Sequence, residues 1–144
     1  MEKTQITIII NGTREQATLK HDASKGIIKF SMRNGFRKQY EASDLYRCLA
    51  KIREDHPDIV FLCKGAKLNV TPSTMCSQMS GGIIAYELKP GKSATFDDIV
   101  QIFAYEEENL SRNLEEQQAY YKEWVALTLE ARRANRSPTD GSIK

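Results

Sequence analysis

Residues 6–12 read Ile-Thr-Ile-Ile-Ile-Asn-Gly, and this stretch decides the fold class. Its apolar and β-branched residues favour a strand, and the Asn-Gly dipeptide fits the two positive φ angles that a type I′ hairpin turn requires. The pattern returns at residues 27–33, which are followed by Asn34-Gly35. Two such turns at similar spacing predict an antiparallel meander of four strands within residues 1–40.

The spacing of apolar residues after this meander predicts a helix and further strands. We expect Ser43 to cap the helix, and His56 to end it because a proline follows. The apolar face of this helix consists of Leu45, Cys48, Leu49 and Ile52. Compact apolar runs at residues 58–63 and 83–88 predict two more strands. Gly81-Gly82, before the second of them, predicts a turn with a close backbone approach.

The last part of the chain is predicted to hold two helices. Thr95 and Asp98 have the spacing of a capping box, which would open the first helix. Its apolar stripe consists of Phe96, Ile99, Val100 and Phe103. The second, longer helix has a stripe of Leu114, Tyr121, Val125 and Leu129, which Trp124 flanks. We therefore expect an α+β fold with an N-terminal antiparallel sheet, further strands and two C-terminal helices.

Length and composition indicate one domain in the cytoplasm. The chain has 144 residues, and none of its apolar runs is long enough to cross a membrane. The N-terminus lacks the basic start and apolar stretch of a signal peptide. We predict a single domain over residues 1–132 and a disordered, polar tail over residues 133–144.

The histidines and cysteines show no pattern typical of catalysis or metal binding. His21 is expected in a loop and His56 at a helix end, and neither has neighbours at the spacing of a triad or a metal site. The odd number of cysteines favours free thiols. Cys48 and Cys63 are expected in the core, whereas Cys76 has no clear place. We therefore expect a protein that is not an enzyme, with no metal and no cofactor.

The chain divides into a basic and an acidic part. Residues 1–70 contain 13 basic and 8 acidic residues, whereas residues 71–130 contain 4 and 10. The positions predicted to bind a positively charged partner are Glu106, Glu107, Glu108, Glu115 and Glu116. The first three are expected at the end of a helix, where the dipole disfavours anions, so local stability does not account for them. A solvated face on two helices explains the same run, and this alternative stays open.

The N-terminal sheet offers a second candidate surface. Its cations are Lys29, Arg33, Arg37 and Lys38, and they alternate with Phe30, Phe36 and Tyr40. Cations and aromatic residues together bind single-stranded nucleic acid by phosphate contact and stacking. Because neighbouring side chains on a strand point to opposite faces, the aromatic residues are expected in the core. A small nucleic-acid-binding or regulatory module is therefore the alternative function, ranked below protein binding.

A resemblance to a known class of proteins supports protein binding. It spans about residues 60–110 and is carried by residues 63–67, 72–73, 79–82, 85–88 and 98–103. In this region the chain resembles small enterobacterial immunity proteins of contact-dependent growth inhibition and related polymorphic toxin loci. The resemblance implies a cytosolic protein without catalytic activity that binds and neutralises a cognate toxin domain, often a nuclease, and it leaves a homodimer open. Nucleases are usually basic because their substrate is polyanionic, so an acidic surface suits such a partner.

Overall fold

Five antiparallel strands form the larger sheet of the computed structural model, which describes residues 1–134. These strands are β1 (Glu2–Ile10), β2 (Thr13–Asp22), β3 (Ile27–Ser31), β4 (Arg37–Glu41) and β5 (Val60–Leu62). Their order in the sheet is β4-β3-β2-β1-β5. The predicted four-strand meander is therefore confirmed, and the strand predicted at residues 58–63 joins it beside β1.

Three helices and a second, smaller sheet complete the described chain. The helices are α1 (Leu45–Asp55), α2 (Thr74–Ser80) and α3 (Leu114–Ala134). The smaller antiparallel sheet contains β6 (Val70–Thr71), β7 (Ile84–Glu87) and β8 (Ile99–Gln101) in that order. The predicted α+β class is confirmed. Within residues 1–134, no helix combines the length and the apolar character that a membrane span needs.

The two Asn-Gly dipeptides both lie in hairpins, but they form different turns. Asn11 and Gly12 have φ angles of 52° and 77°, which is the conformation of the predicted type I′ turn. In the second hairpin, five residues separate β3 from β4, and only Gly35 of the dipeptide has a positive φ, at 94°. The Asn34 side chain accepts a hydrogen bond from the Phe36 amide at 2.9 Å and closes this wider loop.

The core lies between α1 and the inner face of the larger sheet. The four predicted apolar residues of α1 are fully buried, and they pack with Ile8, Leu19, Ile28 and Phe30 of the strands. The helix begins one residue later than predicted. Its cap is Asp44, whose buried carboxylate accepts the amide hydrogen of Arg47 at 2.8 Å and the hydroxyl hydrogen of Ser77 at 2.7 Å.

The first predicted C-terminal helix is wrong. The capping box at Thr95 and Asp98 does form, but it opens only a single 3₁₀ turn at Phe96–Asp98. The chain then becomes β8, which pairs with β7. Because β-branched Ile99 and Val100 suit a strand and β7 offers them a free edge, strand pairing overrides the helix signal. The predicted apolar stripe is accordingly split, since the side chain of Phe96 is 80% exposed whereas Phe103 is buried.

The sequence pattern missed one short helix and ended the last helix too early. The short helix α2 was not predicted, although Ser73 caps it and Gly81, with φ of 64°, ends it. The second predicted C-terminal helix is confirmed as α3 and runs through Ala134, so the first two residues of the predicted tail are helical. The rest of that tail, residues 135–144, lies outside the described residues.

The predicted close approach at Gly81-Gly82 is confirmed. A Cβ atom on Gly81 would lie 2.4 Å from the carbonyl oxygen of Ala23, and one on Gly82 would lie 2.9 Å from Cγ of Asp44. The Gly81 carbonyl also accepts the amide hydrogen of Leu45 at 2.7 Å. Gly81 therefore lets the end of α2 pack against the loop after β2, and Gly82 lets it pack against the beginning of α1.

Candidate functional site

The first of the predicted partner-binding acids, Glu106, lies within a ring of four charges. This charge tetrad consists of Lys64, Lys67, Glu87 and Glu106. Glu106 accepts hydrogen bonds from Lys67 at 2.8 Å and from Lys64 at 3.2 Å, and the same lysines bind Glu87 at 3.3 and 3.4 Å. The side chains are only 13–27% exposed. The hydrogen bond from Lys67 is the main cause that lowers the pKa of Glu106 to about 2.

Glu106 also shapes the loop in which it lies. Its second carboxylate oxygen accepts the amide hydrogens of Glu107 and Glu108 at 3.1 and 3.0 Å. The expectation that residues 106–108 end a helix is wrong, because they follow β8 in an irregular segment. Glu106 therefore has a structural role, and its charge is balanced by cations of the same chain.

Two of the other predicted acids also pair within the chain. Glu107 accepts a hydrogen bond from Arg14 at 3.2 Å and another from the Tyr105 hydroxyl at 2.8 Å. Glu116 receives two hydrogen bonds from the Arg112 guanidinium, at 3.0 and 2.8 Å. These hydrogen bonds lower the pKa of both carboxyl groups. For Glu107 the hydrogen bond from Tyr105 has the largest effect, and for Glu116 the one from the Arg112 side chain does.

The remaining two predicted acids, Glu108 and Glu115, are exposed. Neither forms an ion pair within the part of the chain that the structure describes. The five predicted acids therefore do not form one continuous unpaired acidic patch. Any partner would meet Glu108 and Glu115 as free charges and the others as members of existing pairs.

The residues considered for catalysis or metal binding, His21 and the three cysteines, are packed inside the fold. His21 lies in β2 rather than in the predicted loop, its Nε2 atom lies 3.0 Å from Oγ1 of Thr4, and burial lowers its pKa. Cys48, Cys63 and Cys76 are free and buried. Burial raises the pKa of Cys48 and of Cys63 to about 11, which keeps these thiols protonated at neutral pH. Within residues 1–134, no three histidine, cysteine or acidic side chains are grouped as metal ligands.

Histidine 56 ends α1 as predicted and packs within an aromatic cluster. The His56 ring lies edge-on to Phe36 with 4.7 Å between ring centroids, and its Nε2 atom is 3.2 Å from the Tyr40 hydroxyl. That hydroxyl donates to Asp55 at 2.5 Å, and Lys38 donates to the same carboxylate at 3.1 Å. The aromatic residues of the basic sheet thus face inward, as expected, and Lys38 is paired.

Helix α3 is anchored to the domain by polar side chains. Gln117 is buried, and its amide group donates to the carbonyl oxygens of Gly65 and Lys67 at 2.9 and 2.8 Å and accepts from Arg53 at 3.1 Å. The Trp124 indole donates to the carbonyl oxygen of Lys89 at 2.7 Å. Gln117 and Trp124 therefore help to fix the face of α3 that meets the domain, and Leu114 of the predicted apolar stripe packs against the core as well.

The predicted apolar stripe of α3 is consequently only partly buried. Tyr121 and Leu129 are 44% and 45% exposed, and Leu114 and Val125 are half-buried. Two residues of the stripe, Leu114 and Tyr121, line a groove of about 880 Å³ between α3, α2 and the beginning of α1. Gln117 and Trp124 lie roughly 85° away from the centre of the stripe around the helix, because successive residues turn by about 100°.

Helix α2 forms the opposite side of this groove and exposes two methionines. Ser77, Thr74 and other polar residues of α2 line the groove. Met75 and Met79, one helical turn apart, point to solvent and are 55% and 81% exposed. Methionine side chains are flexible and polarizable, and they are common on surfaces that accommodate protein partners.

Comparison with known proteins identifies no family. No family model matches the chain, and no curated protein matches it. The function is therefore inferred from the surface that α2 and α3 form. We call the apolar residues of α3 that the sequence predicted on one face (Leu114, Tyr121, Val125 and Leu129) the α3 stripe.

Proposed function

We propose that this chain is a cytoplasmic immunity protein that binds a cognate toxin domain and neutralises it without catalysis. The resemblance of residues 60–110 to immunity proteins motivates the proposal. The partly exposed α3 stripe is the observation that supports it, because apolar side chains left exposed on a surface mark sites of protein binding.

The α3 stripe has the composition of a protein-binding surface. A surface helix normally turns its apolar stripe toward the core and its polar residues toward water. Here buried positions include Gln117 and Thr128, whereas Tyr121 and Leu129 are nearly half exposed. Apolar side chains rimmed by polar groups typically mark sites where another protein docks. Tyrosine is also one of the residues that contribute most to binding energy in interfaces.

The charge of α3 indicates a basic partner. Residues 114–130 contain four glutamates and one lysine. Glu115, Glu123 and Glu130 are exposed and form no ion pair within residues 1–134. Such rim charges steer association with a positively charged partner, as expected for a toxin domain that acts on nucleic acid. In this proposal Glu115 and Glu108 contribute to partner binding, whereas Glu106 contributes only by stabilising the folded structure.

A growth assay tests the proposal with a matched pair of variants. Leu129 and Leu127 are equally exposed, at 45% and 48%, but Leu127 lies on the other side of α3. In bacteria that produce the toxin domain encoded by the neighbouring open reading frame, the wild-type chain and L127D should protect growth. L129D should protect poorly, since it places a charge in the apolar stripe.

Three results would contradict the proposal or the interface that it assigns. One is the absence of any toxin domain beside this gene, and another is a wild-type chain that gives no protection. The third is equal protection by L129D and L127D, provided that circular dichroism shows both variants to be folded, and it would place the interface away from the α3 stripe.

A further inference from the structure

The outer face of the larger sheet carries a row of cations that the fold does not use. Lys3 of β1 lies directly opposite Lys20 of β2, and Lys20 lies directly opposite Lys29 of β3. All three are exposed. None of them forms an ion pair within the described residues. The helix α1 covers only the other face of the sheet, on which Ile28 and Phe30 are buried.

This row is unfavourable for the isolated domain. Like charges directly opposite each other on neighbouring strands are destabilising, and Lys20 has a lysine on both sides. An acidic residue at position 20 would instead form two favourable cross-strand pairs. Folding therefore does not explain the row, whereas an anionic partner that binds across the strands would.

The neighbouring row of the same face is polar and rich in hydrogen-bond donors. Gln5 lies opposite Thr18, Thr18 opposite Ser31, and Ser31 opposite Arg37. Arg37 is exposed and adds a fourth cation that forms no ion pair within residues 1–134. Apart from Gln5, the residues named in the two rows line a shallow groove of about 580 Å³. Amide, hydroxyl and guanidinium groups are the side chains that bind phosphate oxygens, together with lysine.

We propose that this lysine face (Lys3, Lys20, Lys29 and Arg37) binds the phosphate backbone of nucleic acid without sequence preference. This binding site lies on the side of the larger sheet opposite α1, and it is independent of the α3 stripe. Because Phe30 and Tyr40 are buried on the inner face, the lysine face has no stacking aromatic residue of its own. Bases are therefore not read, and binding comes from charge and hydrogen bonds to phosphates.

A nucleic acid suits this face better than an anionic membrane does. Surfaces that bind membranes combine cations with exposed apolar residues that enter the lipid. Between the cations of the lysine face lie Thr18 and Ser31, which are hydroxyl residues. A polar groove with a row of cations, one on each of three neighbouring strands, suits a repeating phosphate chain.

Fluorescence anisotropy with labelled oligo(dT) of about 20 nucleotides tests the proposal. Four phosphate contacts give a slope of log affinity against log salt near −2.8, so the wild type should bind about 50-fold more weakly in 200 mM than in 50 mM salt. Lys20→Gln should reduce this slope by about 0.7, and the combined change of all three lysines to Gln should abolish binding. Lys92→Gln removes one exposed charge outside this face and should behave as the wild type.

Urea unfolding of the same variants separates a binding role from a structural one. Lys20→Gln should unfold at an equal or higher urea concentration than the wild type, because the substitution removes two repulsions. A loss of stability would show that the lysine supports the fold and would contradict the argument. Equal oligo(dT) affinity of the wild type and the triple variant would overturn the proposal. Binding to phosphatidylserine vesicles but not to oligo(dT) would also overturn it and would identify a membrane as the partner.

Discussion

Replacing Glu106 by glutamine should destabilise the protein more than a substitution in a loop usually does. The side chain accepts hydrogen bonds from Lys64 and Lys67 and from two backbone amides, and it is only 13% exposed. Glutamine fills the same space but removes the negative charge between the two lysines. The lysines then repel each other and retain Glu87 as their shared acidic partner in the charge tetrad.

The size of this effect follows from the pKa of Glu106. The folded protein holds this pKa at about 2, below the ordinary value of 4.5. At about 1.4 kcal/mol per pKa unit, the ionised carboxylate contributes roughly 3 kcal/mol to the free energy of unfolding at pH 7. Because the folded pKa is lowered, this contribution is complete above pH 4.5 and is lost as the pH falls toward 2. At pH 3 about 1 kcal/mol should remain.

Urea unfolding of the wild type and E106Q at pH 7 and pH 3 measures this directly. The difference between the two proteins should narrow from roughly 3 to about 1 kcal/mol, since the titration of all other groups is common to both. E108Q is the matched control, because Glu108 is exposed and its side chain has no ion-pair partner in the described chain. A difference that does not change with pH, or an equal loss in E108Q, would refute the reasoning.

Further predictions concern close packing and the thiols. Gly82→Ala should lower the free energy of unfolding by more than about 2 kcal/mol, because the new Cβ meets the Asp44 carboxylate. Gly35→Ala should lower the free energy of unfolding by less, since its new Cβ would meet no atom within 4 Å. Urea denaturation compares the two, and equal losses would contradict this. In the native protein at pH 8, Cys48 and Cys63 should not react with Ellman's reagent, whereas they should react after unfolding. Rapid native labelling of either residue would show that the core opens.

The parts of the fold that could be predicted depend on signals between near neighbours in the sequence. The Asn11-Gly12 turn needs only two residues with positive φ. The buried face of α1 needs only the helical period. In both places local preference and tertiary packing agree, so the sequence pattern was sufficient.

The errors arose where distant residues decide the local structure. Residues 95–103 contain a capping box that does form, but Ile99 and Val100 pair with β7 and become a strand. Similarly, the orientation of α3 depends on hydrogen bonds from Gln117 to carbonyl groups about 50 residues earlier, which a hydrophobic pattern does not report. The pairing of Glu106 with Lys64 and Lys67 is also long-range, and it changes the meaning of the acidic run.

Calorimetric titration of the purified chain into its cognate toxin domain tests the proposed function most directly. We expect saturation at one chain per toxin domain and a negative heat-capacity change, because the α3 stripe becomes buried. L127D should give the same result, whereas L129D should bind at least tenfold more weakly, since a carboxylate would enter the apolar contact. The account would be contradicted if the folded wild-type chain did not bind the toxin domain and the toxin domain kept its full activity in the mixture.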